Sequence, residues 1–151
     1  MPDSGPKERL SVKLKAILDR TSSWARVLED GRVDLEYYDF SLMGHSMGGY
    51  GTWSIAMNHP DIFAALGPIS GGGSPAGMAK IRHIPAYVVH GGDDRTVSVT
   101  QSRNMVEAGK KAGADIVYVE VPGGSHVGVA APAFAAMPDF FARQQKRAEH
   151  P

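Results

Sequence analysis

Three apolar segments of this chain are each followed by a residue type used in nucleophilic catalysis. Ser46 follows Phe40–Met43, the adjacent Asp93 and Asp94 follow Ala86–His90, and His126 follows Ile116–Val121. Serine is a weak nucleophile at neutral pH unless a base removes its proton, and the base works best when a third group holds its tautomer. A serine, a histidine and one aspartate therefore predict acyl-transfer chemistry.

The segment around Ser46 predicts a sharp strand-to-helix turn. It reads Gly44-His45-Ser46-Met47-Gly48, after a short apolar strand and before a segment that can be helical. In that setting the serine hydroxyl is exposed at the end of a sheet. Gly44 and Gly48 are expected because the backbones before and after such a turn pass too close for a Cβ.

The elements that must position these residues alternate along the chain. Strands are predicted at 40–43, 63–69, 85–90 and 116–121, and helices at 50–58, 99–111 and 129–147, with a break near Pro138. A further helical pattern covers Lys7–Leu28, and residues 1–6 read as a frayed start. This order predicts one α/β domain over residues 1–151, with a mainly parallel sheet of about four strands and flanking helices. Such sheets place their sites at the C-terminal ends of the strands.

Composition excludes several classes of partner. The chain has 16 basic and 16 acidic side chains, so no basic excess exists to capture nucleic acid or an anionic membrane. It has no cysteine, which rules out disulfides, thiolate metal sites and a cysteine nucleophile. No apolar run approaches the length of a membrane span, and the N-terminus lacks a signal-peptide core. The expectation is a cytoplasmic protein.

The remaining histidines are expected to be structural. His45 is predicted to pack beneath the serine turn, His59 to meet the last carbonyls of a helix, and His90 to hydrogen-bond loop backbone. His83 and His150 carry no motif. No metal-ligand spacing such as His-x-x-x-His is present, so neither a metal nor a cofactor is expected.

These motifs together resemble the C-terminal part of an α/β-hydrolase. The resemblance is to the esterase and predicted-peptidase group that includes feruloyl-esterase-like and polyhydroxybutyrate-depolymerase-like proteins, and it covers about residues 35 to 145. It is carried by Gly44–Trp53, His59–Ala65, Pro68–Gly72, Val89–Val97 and Gly124–His126. The group has its triad in the order Ser, Asp, His.

The resemblance implies a role for each site residue. The family phrase His-Gly-x-x-Asp-x-x-Val fits Asp94 with Val97, so Asp94 is the implied acid and Asp93 a turn residue. The Met47 N–H would be one oxyanion donor. Tyr50 and Trp53, close to the motif in sequence, are the candidates for substrate contact.

The resemblance also exposes a departure from the family pattern. Complete members have four strands before the nucleophile strand, whereas 39 residues precede Phe40 here. The strand before Ser46 would then lie at an open sheet edge, and the second oxyanion donor would have no counterpart. A homodimer covering that edge is expected, with the helix at Lys7–Leu28 as the alternative cover. A third reading is a fragment that folds but turns over little substrate.

Three functions follow as expectations. The first is a serine carboxylic-ester hydrolase that forms an acyl-enzyme on small or short-acyl esters. The second is a serine peptidase of the same superfamily. The third is a non-catalytic hydrolase-like scaffold, favoured by the incomplete oxyanion hole but with no physical need for all three of Ser46, Asp94 and His126.

Overall fold

The computed structural model of the chain describes residues 26–27, 33–34 and 40–144. Backbone contacts divide the chain into two units, with the boundary between residues 38 and 39. In the first unit, β1 (Arg26–Val27) pairs antiparallel with β2 (Val33–Asp34). The helix predicted over Lys7–Leu28 is therefore wrong at residues 26 and 27. The β-branched Val27 and Val33 pair with each other and favour strand over the helix that the apolar spacing predicts. The rest of that predicted helix, and residues 1–6, lie outside the described residues.

The second unit alternates strands and helices as the sequence predicts. The strands are β3 (Phe40–His45), β4 (Phe63–Ile69), β5 (Ala86–Gly91) and β6 (Ile116–Val121). The helices are α1 (Met47–Asn58), α2 (Thr100–Lys111) and α3 (Ala130–Phe141), and a 3-10 helix not expected from the sequence lies at Pro75–Ile81.

The four strands form one parallel sheet in the order β3-β4-β5-β6. The predicted fold class, a truncated α/β-hydrolase-like sheet with flanking helices, is confirmed. Because the strands are parallel, the loops after β3, β5 and β6 all emerge at the C-terminal end of the sheet. Ser46, Asp94 and His126 lie at that end.

Apolar side chains cover both faces of the sheet. One face packs against α1, α2 and the 3-10 helix around Trp53, Leu66, Val88 and Met105. The other packs against α3, with a core of Ile69, Val89, Val129, Ala133 and Met137. Strand β4 is buried from Ala64 to Ile69, as expected of an apolar strand covered on both faces.

Helix α3 differs from its prediction in two ways, at Pro138 and at its C-terminal end. The helix runs through Pro138 without a break and ends at Phe141, short of the predicted residue 147. A proline inside a helix removes one backbone hydrogen bond, and here burial of Met137 and Phe140 holds the helix in place. The helix is closed by the tight backbone bonds Arg143 N–H to Phe140 O and Gln144 N–H to Phe141 O.

Two expectations stay predictions. Strand β3 lies at one end of the described sheet, and Met43 on it is 42% exposed, but the homodimer expected to cover this edge is not tested. The division into two units likewise does not decide whether residues 1–151 form a single domain.

Among the residues described, no helix is long and apolar enough to cross a membrane.

The start of α1 packs directly against the loop that follows β4. A Cβ built on Gly49 would lie 2.6 Å from the Ile69 carbonyl oxygen, and one on Gly71 would lie 2.6 Å from the Gly49 carbonyl carbon. Both contacts are with backbone, which cannot move aside cheaply. Gly49 and Gly71 therefore allow α1, and with it the Ser46 turn, to sit against the end of β4.

We expect Gly49→Ala to destabilise the protein by about 1–3 kcal/mol, because the added methyl group overpacks a backbone contact. Gly48→Ala is the matched control, since it lies in the same helical turn and a Cβ there meets nothing within 4 Å. It should be neutral or stabilising by up to about 1 kcal/mol, through helix propensity. Urea unfolding of both variants measures the difference, and equal stabilities would contradict the packing argument.

A charged cluster ties α2 to β6. Arg103 donates to both carboxylate oxygens of Glu120, with Nε 2.9 Å from Oε2, and Tyr118 Oη donates to Oε2 at 2.8 Å. The hydrogen bonds from Arg103 and then from Tyr118 lower the pKa of Glu120 to about 2, from an ordinary value near 4.5. Burial, followed by the hydrogen bond to Glu120, raises the pKa of Tyr118 to about 12.

Because the pKa of Glu120 is lower in the folded state, its contribution to stability is present above pH 4.5 and is lost as the pH falls towards 2. We therefore expect Glu120→Gln to lose less stability than the wild type between pH 6 and pH 3, measured by thermal melts at low salt. Glu107→Gln, which removes an exposed carboxylate from α2, is the control. Identical pH dependence in wild type and Glu120→Gln would contradict the cluster's role.

Candidate active site

Ser46 occupies the strained turn between β3 and α1. Its backbone has φ 57° and ψ −116°, and only Ser70 shares a positive φ among the described non-glycine residues. The turn is held by the Ser46 N–H, which donates to Ile69 O at 2.9 Å, and by the Ser46 carbonyl, which accepts from Gly49 N–H and Tyr50 N–H. A non-glycine residue in this region costs of order 1–3 kcal/mol and needs such support.

The two motif glycines have different reasons to be glycine. A Cβ on Gly44 would lie 2.8 Å from Gly48 Cα, so the close approach predicted for Gly44 is present. A Cβ on Gly48 would meet nothing within 4 Å, and the steric requirement predicted for Gly48 itself is therefore wrong. Gly48 supplies the backbone that Gly44 must avoid, whereas the position with its own steric need is Gly49.

The three side chains singled out in the sequence form one hydrogen-bonded chain. His126 Nε2 lies 2.9 Å from Ser46 Oγ, and His126 Nδ1 lies 2.7 Å from Asp94 Oδ2. The residues are 32 to 80 positions apart in sequence. Asp94 and not Asp93 reaches His126; Asp93 is exposed and its backbone N–H bonds Gly124 O.

The Asp94 carboxylate is fully buried and saturated with donors. Its Oδ1 accepts from Thr96 N–H and Val97 N–H, each at 2.8 Å, so the loop after β5 folds around it. Burial raises the pKa of Asp94, but the hydrogen bonds from His126, Val97 and Thr96 outweigh it and hold the pKa below its usual range. Asp94 is therefore ionised at neutral pH.

This ionised carboxylate fixes the tautomer of His126. A carboxylate only accepts, so His126 Nδ1 carries the proton that Asp94 binds. In neutral His126 the Nε2 atom then has a free lone pair, which faces the Ser46 hydroxyl. The arrangement can take a proton from Ser46 and stabilise the imidazolium that results.

His45 contacts the loop that carries His126. Its Nε2 lies 2.7 Å from the His126 carbonyl oxygen, which only accepts, so His45 donates. The two rings also lie close together, tilted, with centroids 4.7 Å apart. The predicted position of His45 beneath the turn stays a prediction, and the hydrogen bond joins its half-buried ring to the loop after β6.

The predictions for the residues that flank Ser46 have mixed outcomes. Met47 opens α1, where backbone N–H groups have no partner within the helix, and its side chain is 85% exposed. Tyr50 is 37% exposed, whereas Trp53 is 0% exposed and packs in the core. Substrate contact by Trp53 is therefore wrong, because its ring fills the space between α1 and the sheet. Val127 is 73% exposed beside His126.

Sequence reasoning missed two neighbours of the site. His90 bonds the Val97 carbonyl as predicted, but it also contacts Ser102 Oγ at 2.7 Å and Asp94 Oδ2 at 3.2 Å. Ser70, between β4 and the α1 contact, is buried with φ 47°, and its Oγ has no partner in the described part of the chain. Nothing in the sequence marks either residue, because neither lies on a helix, where spacing predicts side-chain neighbours.

Two cavities lie near the site without including Ser46 or His126. One cavity of about 380 Å³ lies between α3 and the β5–β6 face, and one of about 300 Å³ lies beside Tyr50 and Gly72–Ser74. Neither is lined by Ser46 or His126. Within residues 40–144 no group of three His, Asp or Glu side chains could hold a metal ion. The absence of a metal or cofactor stays a prediction.

Comparison with known proteins gives two curated relatives and a solved structure. The chain is 30% identical over 125 residues to the cutinase est2 of Thermobifida alba, covering 83% of this chain and 39% of that protein. It is 30% identical over 150 residues to an uncharacterized secreted protein of Arthroderma benhamiae, covering 78% of this chain and 15% of that protein. A thermostable esterase of known structure has a TM-score of 0.69 and 30% identity, over 91% of this chain and 37% of that one.

The chain thus spans well under half the length of the curated relatives it matches. No protein-family model matches it. The parallel sheet, the turn at Ser46 and the similarity to an esterase of known structure agree with the resemblance seen in the sequence. The chain therefore has an esterase-like α/β-hydrolase fold, in which Ser46, Asp94 and His126 follow three of the four described parallel strands.

Proposed function

We propose that this chain carries the catalytic machinery of a serine carboxylic-ester hydrolase that works through an acyl-enzyme. The observation that carries the proposal is the directional chain from Ser46 Oγ through His126 to Asp94, with distances of 2.9 and 2.7 Å. The cutinase and esterase similarities support ester hydrolysis over other reactions of such a site.

Four groups have defined roles in the proposed reaction. His126 Nε2 takes the Ser46 proton as Oγ attacks the ester carbonyl, and then gives that proton to the leaving alcohol. Asp94 holds the Nδ1–H tautomer and stabilises the imidazolium. The Met47 N–H donates to the oxyanion at the positive end of α1. Water then repeats the sequence on the acyl-enzyme, releasing the acid and restoring Ser46.

We propose that the preferred substrates are small or short-acyl esters. The large apolar groups exposed beside Ser46 and His126 in the described residues are Met47 and Val127, with Tyr50 partly exposed one turn along α1. These surfaces suit a short acyl chain better than a long lipid tail. The cytoplasmic location stays a prediction, although the Arthroderma benhamiae relative is a secreted protein by name.

We expect hydrolysis of p-nitrophenyl acetate and butyrate by the wild type, with little activity on the palmitate ester. Ser46→Ala should lower kcat/KM by about 10³-fold or more, because no other group takes over the nucleophile's role. Ser125→Ala removes a nearby hydroxyl whose hydrogen bond, within residues 40–144, is to Gly128 N–H; it is the matched control and should keep its activity.

Two other results would replace the proposal. Equal rates for wild type and Ser46→Ala would point to the non-catalytic scaffold. Cleavage of peptide p-nitroanilides at rates above those for the esters, and dependent on Ser46, would favour the peptidase.

A further inference from the structure

His90 is a buried histidine that the proposed reaction does not use. It lies near the end of β5 and is 0% exposed. Its Nδ1 is 2.7 Å from Ser102 Oγ on α2. Its Nε2 faces two oxygens, the Val97 carbonyl at 2.9 Å and Asp94 Oδ2 at 3.2 Å. A second imidazole therefore touches the oxygen of Asp94 that His126 binds.

The chemistry of these partners decides where the His90 proton lies. A backbone carbonyl only accepts, and the Asp94 carboxylate, ionised as argued above, also only accepts. The Nε2 atom must therefore carry a hydrogen, which it donates to Val97 O while lying 3.2 Å from Asp94 Oδ2. This holds whether or not Nδ1 is also protonated, because the Ser102 hydroxyl can either accept from Nδ1–H while donating to Gly71 O at 3.1 Å, or donate to Nδ1.

We propose that His90 is a positioning residue for the Asp94–His126 pair. Thr96 N–H and Val97 N–H bind Oδ1 of Asp94, His126 binds Oδ2, and the polar Nε2–H group of His90 lies 3.2 Å from the same oxygen. Donors on both oxygens leave the buried carboxylate one orientation, which aims Oδ2 at His126. This inference rests on the proposed function, since it assigns His90 to the same site.

Two variants separate the two sides of the ring. In His90→Gln the side-chain amide nitrogen takes the place of Nε2 beside Asp94, and we expect kcat within about threefold of wild type. In His90→Asn the amide reaches only the Ser102 side. We expect kcat to fall about tenfold with KM nearly unchanged. Equal kcat values in the two folded variants would overturn the proposal.

Nitrogen-15 NMR of the histidine rings tests the wild type without any substitution. We expect His90 Nε2 to be protonated across the pH range in which kcat/KM rises, and a bare Nε2 would overturn the proposal even if the variants do not fold. If Nε2 carries no hydrogen and ester hydrolysis depends on Ser46, only the inference about His90 is overturned. If Nε2 carries a hydrogen but Ser46→Ala leaves ester hydrolysis unchanged, the proposed function is overturned and the His90–Asp94 contact is not.

Discussion

The buried negative charge of Asp94 is the constraint on which the site depends. An ionised carboxylate shielded from water costs several kcal/mol unless donors replace its hydration. The loop after β5 turns two backbone N–H groups onto Oδ1, and two imidazoles approach Oδ2. The same bonds that stabilise the charge fix the tautomer of His126, so stability and proposed reactivity have one physical origin.

The parallel sheet supplies the geometry that this charge requires. Strands β3, β5 and β6 end on the same side of the sheet, where Ile69 O of β4 accepts a hydrogen bond from the Ser46 N–H. The close approach of Gly49 to Gly71 places α1 against that end of the sheet. The strained backbone of Ser46 is thus held from two sides, by the sheet and by its own helix. His45, by binding the His126 carbonyl, couples the same turn to the loop after β6.

The sequence predicted the elements that periodicity and punctuation mark. Strands β4 and β6 and helix α2 were predicted to within one residue, and the order of Ser46, Asp94 and His126 located the edge where they meet. Features set by tertiary contact were not predictable. The burial of Trp53, the need for glycine at 49 rather than 48, and the bond from His45 to the His126 carbonyl depend on which backbone lies opposite each residue. Strand β1 has only two residues, too few to show the alternation that distinguishes a strand from a helix in sequence.

The central claim is that Ser46 is activated by His126 and Asp94. Its most direct measurement is reaction of the folded chain with a fluorophosphonate, followed by mass-spectrometric mapping of the adduct. The account predicts one adduct per chain, on Ser46, and a much slower reaction when His126 is replaced by Ala. An adduct on another residue, or no adduct on folded protein, would contradict it.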